Sequence, residues 1–550
     1  MAEFAIPFRS IRYREGDTEW GISFSRLDLK NNEKSSWTPI PRQFPTASLA
    51  YTGTLVWDKP LPKAGTRFGL IPYISGRVEQ DVEAGEPVNT KGDAGLDAKI
   101  SLFTSMNLDL TVNPDFSQVE VDRQVTNLSR FELFFPEKRQ FFLENSDIFA
   151  SLGTYGLRPF FSRRIGLQNK VRAGARLSGK LGEKWRVGLM NMQTGSSDTE
   201  FGANYSVATV QKQVFSRSNL NLFVVNKELT ADYDEQDTVL ATYNRVAGVD
   251  FNLASADNKW TGKMFYHQSF SPQKVNKHLT TFGELNYKTQ QFNLSGRYTY
   301  VGDGYDAEVG YVLRKNYHRI NPDIGYKFYP GSNSIANHGF NFSMDNFYKP
   351  DFSLTDKEFQ LEYGIVWLNR SEISLELSDG FVRLLEPFDP TNSGREKLAA
   401  GSTYNWKEFT LTYISDGRKL FNYIVSARSG GYFNGNRLSF NGEANYRVQP
   451  YGSLALVSSF HRITNLSTQL SDTEFFLIGP KLDITFTNKI FFTTFIQYND
   501  QIDNLNLNMR FQWRFAPVSD LFIVYSDNSY PENFQTKNRA LVLKLSYWFN

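Results

Sequence analysis

Hydrophobic and polar residues alternate one by one along most of the chain. In the stretch 505–515 every odd-numbered residue is apolar and every even-numbered residue is polar. The same alternation, with glycine at a few positions, recurs at 106–112, 171–178 and 292–300. Adjacent side chains on a β-strand point to opposite faces, so each stretch predicts a strand with one apolar and one polar face. These stretches do not have the period of a helix, which places residues three or four positions apart on one face.

Turn signals separate the alternating stretches, which are about 9–11 residues long and so match tilted membrane strands. The separators include Gly182-Glu183, Gly302-Asp303-Gly304, Asn434-Gly435-Asn436 and Asp500-Gln501. We therefore predict an all-β fold, a large antiparallel transmembrane β-barrel of about 22 strands, within a range of roughly 18–26. A large soluble β-protein, such as a propeller or an array of sandwiches, is the competing interpretation.

The last stretch has the pattern of a barrel-closing strand. The residues on its apolar face are Leu541, Leu543, Leu545, Tyr547 and Phe549. Lys544 and Ser546 point the other way. Outer-membrane barrels commonly close with a strand that ends in an aromatic residue read by the barrel assembly machinery, although here Asn550 follows. The alternative is an ordinary terminal strand of a soluble sheet.

The composition favours the membrane barrel. Aromatic residues make up 15% of the 550 residues, yet the mean hydropathy is −0.43. Strands that alternate lipid-facing and lumen-facing side chains have this combination, whereas a disordered chain would lack the aromatics. We find no apolar run of about 18 residues, which a helical span needs. The net charge of +2 indicates no nucleic-acid partner, and the lack of cysteine excludes disulfides and thiol chemistry.

Residues 1–45 differ from the rest of the chain. The runs Phe4–Phe8 and Gly21–Ser25 predict two short strands separated by loop residues. About 40 residues are too few for an independent core, so we interpret this piece as the end of a β-sandwich whose beginning is missing. A simple N-terminal extension packed on the barrel is the alternative. The first residues also lack the basic and apolar regions of a signal peptide, so we expect the chain to be a fragment of an exported protein.

One long segment, residues 113–166, breaks the alternation, and we name it the plug segment. A connection of this length inside a compact barrel is usually functional. It contains nine phenylalanines, seven acidic residues and seven basic residues, which indicates a folded element with internal ion pairs. A barrel of about 22 strands has room for such an element. We predict that the segment folds into the lumen or caps its periplasmic mouth.

The plug segment also carries a family resemblance. Its runs Asn113–Asp122, Asn127–Arg139, Phe141–Asn145 and Phe161–Gly166 closely resemble a family of Gram-negative outer-membrane barrels of unknown function. Members of that family carry a periplasmic domain similar to family 9 carbohydrate-binding modules, followed by a large barrel. The runs Phe4–Arg12, Trp20–Arg26 and Ser35–Trp37 look like the end of that module. The resemblance implies a module remnant at 1–45, a barrel at 46–550 and a location in the outer membrane, and it only hints at carbohydrate handling.

We expect the plug motif to have a structural or gating role. Its residues are Asn113, Pro114, Asp115, Phe116, Glu120, Asp122, Arg130, Phe134, Phe135, Pro136, Glu137, Arg139, Phe141, Glu144, Arg163 and Arg164. Asp115, Glu120 and Asp122 have the chemistry of a Ca²⁺ site, but ion pairs with nearby arginines are the expected arrangement. The arginines of this segment would guide an anionic cargo or, as we expect, pair with acids. Its aromatic residues would stack on sugar rings or, as we expect, form a small core.

No catalytic, metal or cofactor site is predicted. The five histidines are His267, His278, His318, His338 and His461. None has metal-ligand spacing, and no nucleophile motif of the Gly-x-Ser-x-Gly type occurs. His267 and His278 flank a predicted loop, Gln268–Lys277, which is a candidate position for a site at the rim. We expect instead that both are exposed loop histidines without a catalytic role.

Three functional hypotheses follow from the sequence. The first is a plugged outer-membrane barrel that transports or docks a cargo, for which a glycan or glycoconjugate is one candidate. The second is a structural or assembly anchor of an outer-membrane complex, and the third is an outer-membrane hydrolase with a rim site. The expected partners are outer-membrane lipid, the barrel assembly machinery and carbohydrate, with no nucleic acid. A closed barrel has no free sheet edges, so we expect a monomer.

Overall fold

The structure is a computed structural model that describes most of the chain. The described residues are 3–4, 6, 13, 15–28, 33–41, 43–62, 68–102, 105–197, 201–230, 242–272, 276–466 and 472–549.

Strands dominate the described residues. In chain order they are β1 (Glu19–Ile22), β2 (Ser25–Asp28), β3 (Glu33–Ser36), β4 (Gly53–Val56), β5 (Phe68–Asp81), β6 (Asn89–Leu102), β7 (Met106–Val112), β8 (Leu157–Arg158), β9 (Val171–Leu181), β10 (Trp185–Thr194), β11 (Ala203–Val214), β12 (Ser218–Leu229), β13 (Tyr243–Ala254), β14 (Trp260–Phe270), β15 (Leu279–Lys288), β16 (Phe292–Val301), β17 (Tyr311–Val312), β18 (Tyr317–Phe328), β19 (Ile335–Tyr348), β20 (Leu354–Trp367), β21 (Glu372–Arg383), β22 (Thr403–Ile414), β23 (Phe421–Tyr432), β24 (Gly435–Val448), β25 (Gly452–Thr464), β26 (Thr473–Thr487), β27 (Ile490–Asn499), β28 (Asn504–Ala516), β29 (Ser519–Ser529) and β30 (Thr536–Ser546).

Within the described part of the chain, 24 of these strands form one closed antiparallel barrel. Each barrel strand pairs with the next barrel strand along the chain, and β30 closes the ring by pairing with β5, with Ser546 opposite Tyr73. The predicted all-β barrel is therefore confirmed. The number of strands lies inside the predicted range and slightly above its centre.

The alternating apolar and polar residues of the sequence are the outward-facing and inward-facing residues of the barrel wall. On β21, Leu375 and Leu377 are exposed on the outer surface at 43% and 51%, while the alternate residues Glu376 and Ser378 point into the lumen. Large apolar side chains are exposed in the same way on the other barrel strands, and lipid is the solvent that suits them. The barrel thus has the outer surface of a transmembrane protein.

The two ends of the barrel differ in the length of their connections. At the end that carries the start of β5 and the end of β30, the connections are two to six residues long. We call this the turn end. The opposite, loop end carries long connections such as 302–316 and 384–402. In outer-membrane barrels the short turns are periplasmic and the long loops extracellular.

The N-terminal strands form two small sheets outside the barrel. β1 pairs with β4, and β2 pairs with β3. The hydroxyl of Tyr51 donates a 2.8 Å hydrogen bond to the carbonyl of Asp257, in a connection at the turn end. Because residues 53–56 pair with β1 and the first barrel strand starts at Phe68, the barrel begins later than the expected boundary at residue 46.

The two predicted N-terminal strands fare differently. The predicted strand Phe4–Phe8 lies largely outside the described residues. The predicted strand Gly21–Ser25 is instead the junction where β1 ends and β2 begins. That 1–45 is the remnant of a carbohydrate-binding module stays a proposal.

Helices are short in the described residues. α1 (Gln140–Leu143) and α2 (Asp147–Ala150) lie in the plug segment, and single 3₁₀ turns occur at Leu49–Tyr51, Ser162–Arg164 and Asp500–Ile502. In the ranges that the structure describes, no helix is both long enough and apolar enough to cross a membrane.

The plug segment leaves and rejoins the wall between two neighbouring strands. β7 ends at Val112, and Asn113 turns the chain away with a φ of 52°. β9 begins at Val171, and it pairs directly with β7 from Met106↔Gly179 to Val112↔Ala173. The wall is therefore continuous across the insertion.

Candidate functional site

The plug segment lies inside the barrel, because it contacts strands on all sides of the wall. Its Glu144 pairs with Lys99 of β6, its Arg130 with Asp356 of β20, and its Glu120 with Lys481 of β26. The predicted plug is thus confirmed, and of the two predicted positions, the lumen or the periplasmic mouth, the segment takes the lumen.

One side of the plug segment packs on the wall as a dry apolar core. Its contribution is Phe142, Ile148, Phe149, Leu152, Leu157, Phe160 and Ile165, all at most 5% exposed. The wall contributes inward-facing apolar residues from β9 to β16, among them Met190, Phe223 and Phe265. At Gly188 of β10 an added Cβ would lie 2.8 Å from Phe149 and 2.9 Å from Ile148. The glycine therefore lets α2 lie directly against the strand.

A short two-stranded sheet extends this contact to the loop end. β8 pairs with β17, which belongs to the connection 302–316. Around it, Phe134 and Phe161 form an aromatic cluster with Tyr311, at centroid distances of 5.1–5.7 Å. The Arg158 guanidinium lies over the Phe134 ring at 4.9 Å. These phenylalanine rings form a core, as expected.

The charges of the plug segment are paired, but mainly not as predicted. Three of its seven acids pair within the segment: Asp122 with Lys138 and Arg163, Glu132 with Arg164, and Glu137 with Arg139. The other four pair with wall cations: Asp115 with Lys544, Glu120 with Lys481, Glu144 with Lys99, and Asp147 with Arg186. The predicted internal pairing is therefore wrong for these four acids, which attach the segment to the wall.

Arg139 and Glu137 form the central joint of the plug segment. Two hydrogen bonds of 2.7 and 2.9 Å connect them, and Arg139 also donates to the carbonyls of Ser162 and Ile165. The guanidinium lies 4.3 Å from the centroid of the Phe142 ring. Burial opposes the ionisation of Glu137, but the hydrogen bonds from Arg139 and Ser162 outweigh it and hold its pKa below the ordinary value. The joint fixes the start of α1 to the turn at 162–164.

The three carboxylates with calcium-binding chemistry do not converge. Asp115 binds Lys544, Glu120 binds Lys481, and Asp122 binds Lys138 and Arg163. Across the described residues, no group of three or more His, Asp or Glu side chains is placed to hold a metal ion. Each of these carboxylates has its charge balanced by protein cations instead.

His267 does not flank a loop. It lies inside β14, fully buried, with Nε2 2.7 Å from Oδ1 of Asp250 on β13. The same carboxylate forms an ion pair with Lys263 at 3.1 Å and accepts a 2.9 Å hydrogen bond from the Gly153 amide of the plug segment. This His–carboxylate pair is sealed between plug and wall, so it cannot serve a rim hydrolase. His278 remains in the connection after β14, where its carbonyl accepts from Ser269.

The remaining histidines are packed in the wall. His318 stacks on Phe352 at 4.5 Å, His338 lies 2.9 Å from the Tyr363 hydroxyl, and His461 lies 2.8 Å from the Ser439 hydroxyl.

The other side of the plug segment contacts the wall mostly through polar groups, and its Leu128 packs against a second, smaller apolar cluster that includes Val382, Tyr432 and Phe475. The Gln124 amide donates to Gln497 at 2.7 Å, the Asn127 amide donates to Gln501 at 2.8 Å, and Arg123 pairs with Glu443 at 3.3 Å. Two cavities of about 470 and 360 Å³ lie between residues 123–131 and strands β18–β26. The plug segment is therefore packed asymmetrically: most of its buried apolar side chains lie against β9–β16, whereas the β18–β26 side has Leu128, polar contacts and two cavities.

The larger of these cavities, which we name the loop-end cavity, has a charged and aromatic lining. Arg314 holds one Asp356 oxygen at 2.5 Å and the Thr355 hydroxyl at 2.9 Å, while Arg130 of the plug segment holds the other Asp356 oxygen. Trp406 of β22 lies across Gly380, where an added Cβ would meet its ring at 2.7–3.0 Å. Sequence reasoning singled out only Arg130 of these residues. The one sequence feature that could have indicated Asp356 and Trp406 as site residues was their position on the polar face of a strand, near its end.

A further cavity of about 1090 Å³ opens at the turn end, between the plug segment and the closing strand. On that strand, Leu541, Leu543 and Leu545 point outward and are exposed. Phe549 forms an isolated bridge with Leu70. The closing strand thus joins the first barrel strand at the mouth of this cavity.

Several solved structures show some likeness to this chain. OprD of Pseudomonas aeruginosa is 10% identical, with 88% of this chain and 95% of that chain covered and a TM-score of 0.34. The siderophore receptor PirA of Pseudomonas aeruginosa is 8% identical, with 88% and 80% covered and a TM-score of 0.44. The copper transporter OprC is 9% identical, with 92% and 83% covered and a TM-score of 0.40.

Among curated protein sequences, none shows significant similarity to this chain. A sequence family, by contrast, matches residues 64–491, which include most of the barrel and the whole plug segment. The chain therefore belongs to the family described as Domain of unknown function (DUF5916).

Proposed function

We propose that this protein is a plugged conduit of the Gram-negative outer membrane, in which cargo passes along the β18–β26 side of the plug segment. The observation that carries the proposal is the asymmetry of the plug. Its apolar side buries a continuous core against β9–β16, which is costly to separate. Its other side is held by hydrogen bonds, ion pairs and the smaller apolar contact of Leu128, and it borders two cavities.

Opening then requires movement of only part of the plug segment. Residues 120–131 contact the wall mainly through hydrogen bonds, such as those of Gln124 with Gln497 and of Asn127 with Gln501, and through the ion pairs of Glu120 and Arg130. Their apolar contact with the wall is the packing of Leu128 on the smaller cluster. Hydrogen bonds of this kind contribute about 1 kcal/mol each, far less than the burial of several large apolar side chains. We infer that this stretch is the gate and that the apolar core is the fixed part.

Single-channel conductance in planar bilayers tests the conduit. The intact chain is compared with a variant in which Pro114–Arg163 is replaced by a short linker, since the β7–β9 pairing leaves the wall continuous. A second variant, Gln497→Ala with Gln501→Ala, keeps the plug segment and removes two of the wall side chains that hold the gate. We expect the intact chain to be closed, the deletion to give a large steady pore, and the double variant to flicker.

A silent deletion variant that still folds as a barrel would contradict the conduit. It would favour the second function, an anchor or assembly role for an outer-membrane complex, which stoichiometric partners in a detergent extract would support. We further propose that the barrel is a monomer, inserted into outer-membrane lipid by the barrel assembly machinery.

A glycan or glycoconjugate cargo is part of the proposal. It is motivated by the family resemblance, and the aromatic side chains of the loop-end cavity are compatible with it. Conductance block by added oligosaccharides of increasing length, compared between the intact chain and the deletion variant, tests this cargo. Unchanged current at every length would remove it.

A further inference from the structure

The loop-end cavity has more positive than negative charge. Six basic and four acidic residues line it. Arg319 and Arg437 have carboxylates of their own, Asp345 at 2.6 Å and Glu408 at 2.6 Å, and Lys357 pairs with Asp379 at 2.8 Å.

The three remaining cations are Arg130, Arg314 and Arg428. Arg130 and Arg314 share one carboxylate, Asp356. Arg428 donates to the Thr410 hydroxyl at 3.1 Å and forms no ion pair with any residue that the structure describes. Glu358, the fourth acid, accepts from Gln360 at 3.0 Å. Guanidinium groups bind carboxylates through two parallel hydrogen bonds, so this set has capacity for an added carboxylate.

The rest of the lining suits a flat ring. Trp406, Phe347, Tyr317 and Phe433 all border the cavity. Trp406 lies against Gly380 of the wall and packs beside Phe433, at a centroid distance of 5.5 Å, so the two rings form an aromatic patch of the lining. The volume of about 470 Å³ lies in the range of small-molecule sites.

We propose that the loop-end cavity binds a ring-bearing carboxylate and that binding loosens the gate. The inference rests on the proposed function, since it names the cargo class of that conduit. The ring packs on the aromatic lining, and its carboxylate binds Arg314 and Arg428.

The coupling to the gate follows from the position of Arg130. Arg130 belongs to the plug segment, and its ion pair with Asp356 attaches residues 127–131 to β20. Arg314 shares Asp356 with Arg130, so a carboxylate held by Arg314 and Arg428 lies beside Asp356 and weakens the hold of Asp356 on Arg130 by charge repulsion and competition. Occupancy of the site therefore favours the state in which the Arg130–Asp356 pair is broken, and a ligand shifts an equilibrium by its difference in affinity for the two states.

Calorimetry on the purified full chain in detergent tests the binding. The probes are glucuronate and benzoate, each with a matched neutral compound, glucose and benzyl alcohol. We expect at least one carboxylate to bind with saturation, and its neutral match to bind about tenfold more weakly or not at all. Binding of glucuronate alone would identify sugar acids as the source of the carboxylate, and binding of benzoate alone would identify aromatic acids.

Variants separate the cavity from non-specific binding. Arg314→Gln and, as a second variant, Arg428→Gln are each expected to weaken carboxylate binding by about tenfold or more. Arg164→Gln is the control, because this plug arginine pairs with Glu132 and does not line the cavity. Folding of each variant is checked by heat-modifiable migration. Equal binding of charged and neutral probes, or binding unchanged by both cavity variants, would overturn the site.

The gating step is read from conductance of the intact chain with the bound carboxylate added on the loop side. We expect more frequent opening, and no change with the neutral match. If the plug deletion opens a pore but no carboxylate binds, the proposed binding site is contradicted and the proposed conduit is supported. If a carboxylate binds but the deletion variant shows no conductance, the proposed conduit is contradicted and the cavity is a docking site only.

Discussion

The backbone amide of Gly153 in the plug segment donates a 2.9 Å hydrogen bond to the fully buried carboxylate of Asp250 in β13. The same carboxylate holds Lys263 and His267 of β14. A single wall side chain thus connects two strands to the plug. The Asp250 carboxylate is fully buried. Among the described ion pairs, it is the sole carboxylate bound to Lys263.

Asp250→Asn is expected to loosen the plug without opening the barrel wall. The amide keeps the shape of the side chain but leaves Lys263 without a counter-ion, and removing one partner of a buried pair costs about 3–5 kcal/mol. Hydrogen exchange of residues 147–158 should rise, while the strand amides stay protected. Asp257→Asn, in an exposed turn, is the matched control, and equal exchange in the two variants would contradict this role of Asp250.

Gly188→Val is expected to displace α2. The added side chain would meet Ile148 and Phe149, which already lie within 3 Å of the position of a Cβ, and overpacking of this kind typically costs about 1–3 kcal/mol. Gly283→Val is the control, since an added Cβ there has open space. Proteolysis within 140–155 should be faster only in the first variant. If both variants are cleaved at the same rate, the position of α2 does not depend on its close approach to β10.

Acid is expected to weaken the Glu137–Arg139 joint. The pKa of Glu137 is held below its ordinary value, so its stabilisation is complete above the unfolded pKa of about 4.3 and is lost as the pH falls through the lower folded pKa. Hydrogen exchange of 137–145, measured between neutral and acidic pH, should rise in that range. Glu137→Gln should raise the exchange at neutral pH and flatten its pH dependence, whereas Glu132→Gln, at an exposed site, should leave the profile unchanged.

Two neighbouring residues of β21 test the assignment of the two wall faces. Leu377→Arg places a charge on the lipid side and is expected to destabilise the barrel by about 2–4 kcal/mol. Ser378→Arg places the same charge in the lumen and is expected to be tolerated. Urea unfolding from lipid vesicles measures both variants. A larger loss from Ser378→Arg would reverse the orientation of the strand.

The barrel was predictable from the chain because its signal is local. Each strand shows the alternation of its own faces, as in 505–515, and lipid on one side makes the alternation strict. The plug was predictable as an element, since residues 113–166 break that period. Its ion-pair partners were not predictable, because Lys481 and Lys544 lie more than 300 positions away from the acids that they bind. Only the ring closure and the register bring them together.

The burial of His267 shows the same limit. The loop assigned to Gln268–Lys277 begins three residues too early, since β14 continues to Phe270. The alternating pattern predicts that a polar residue lies on the lumen face, but it does not predict which segments pack on that face. Here the cover is the plug segment and the connection after β16, which supply Gly153 and Tyr305. The loop-end cavity was missed for the same reason, as Arg314 and Asp356 belong to different elements.

The wall cations that hold the plug have an implication for biogenesis. Lys99 and Arg186 belong to early strands, whereas Lys481 and Lys544 belong to β26 and β30. The acids they bind are synthesised long before the last two cations, so the plug cannot settle fully until the final strand has joined the first. A fully bound plug segment therefore indicates that the ring is complete. In a nascent barrel that lacks only the last strand, Lys481 is already present, and Asp115 is the one acid of these four whose wall cation is missing.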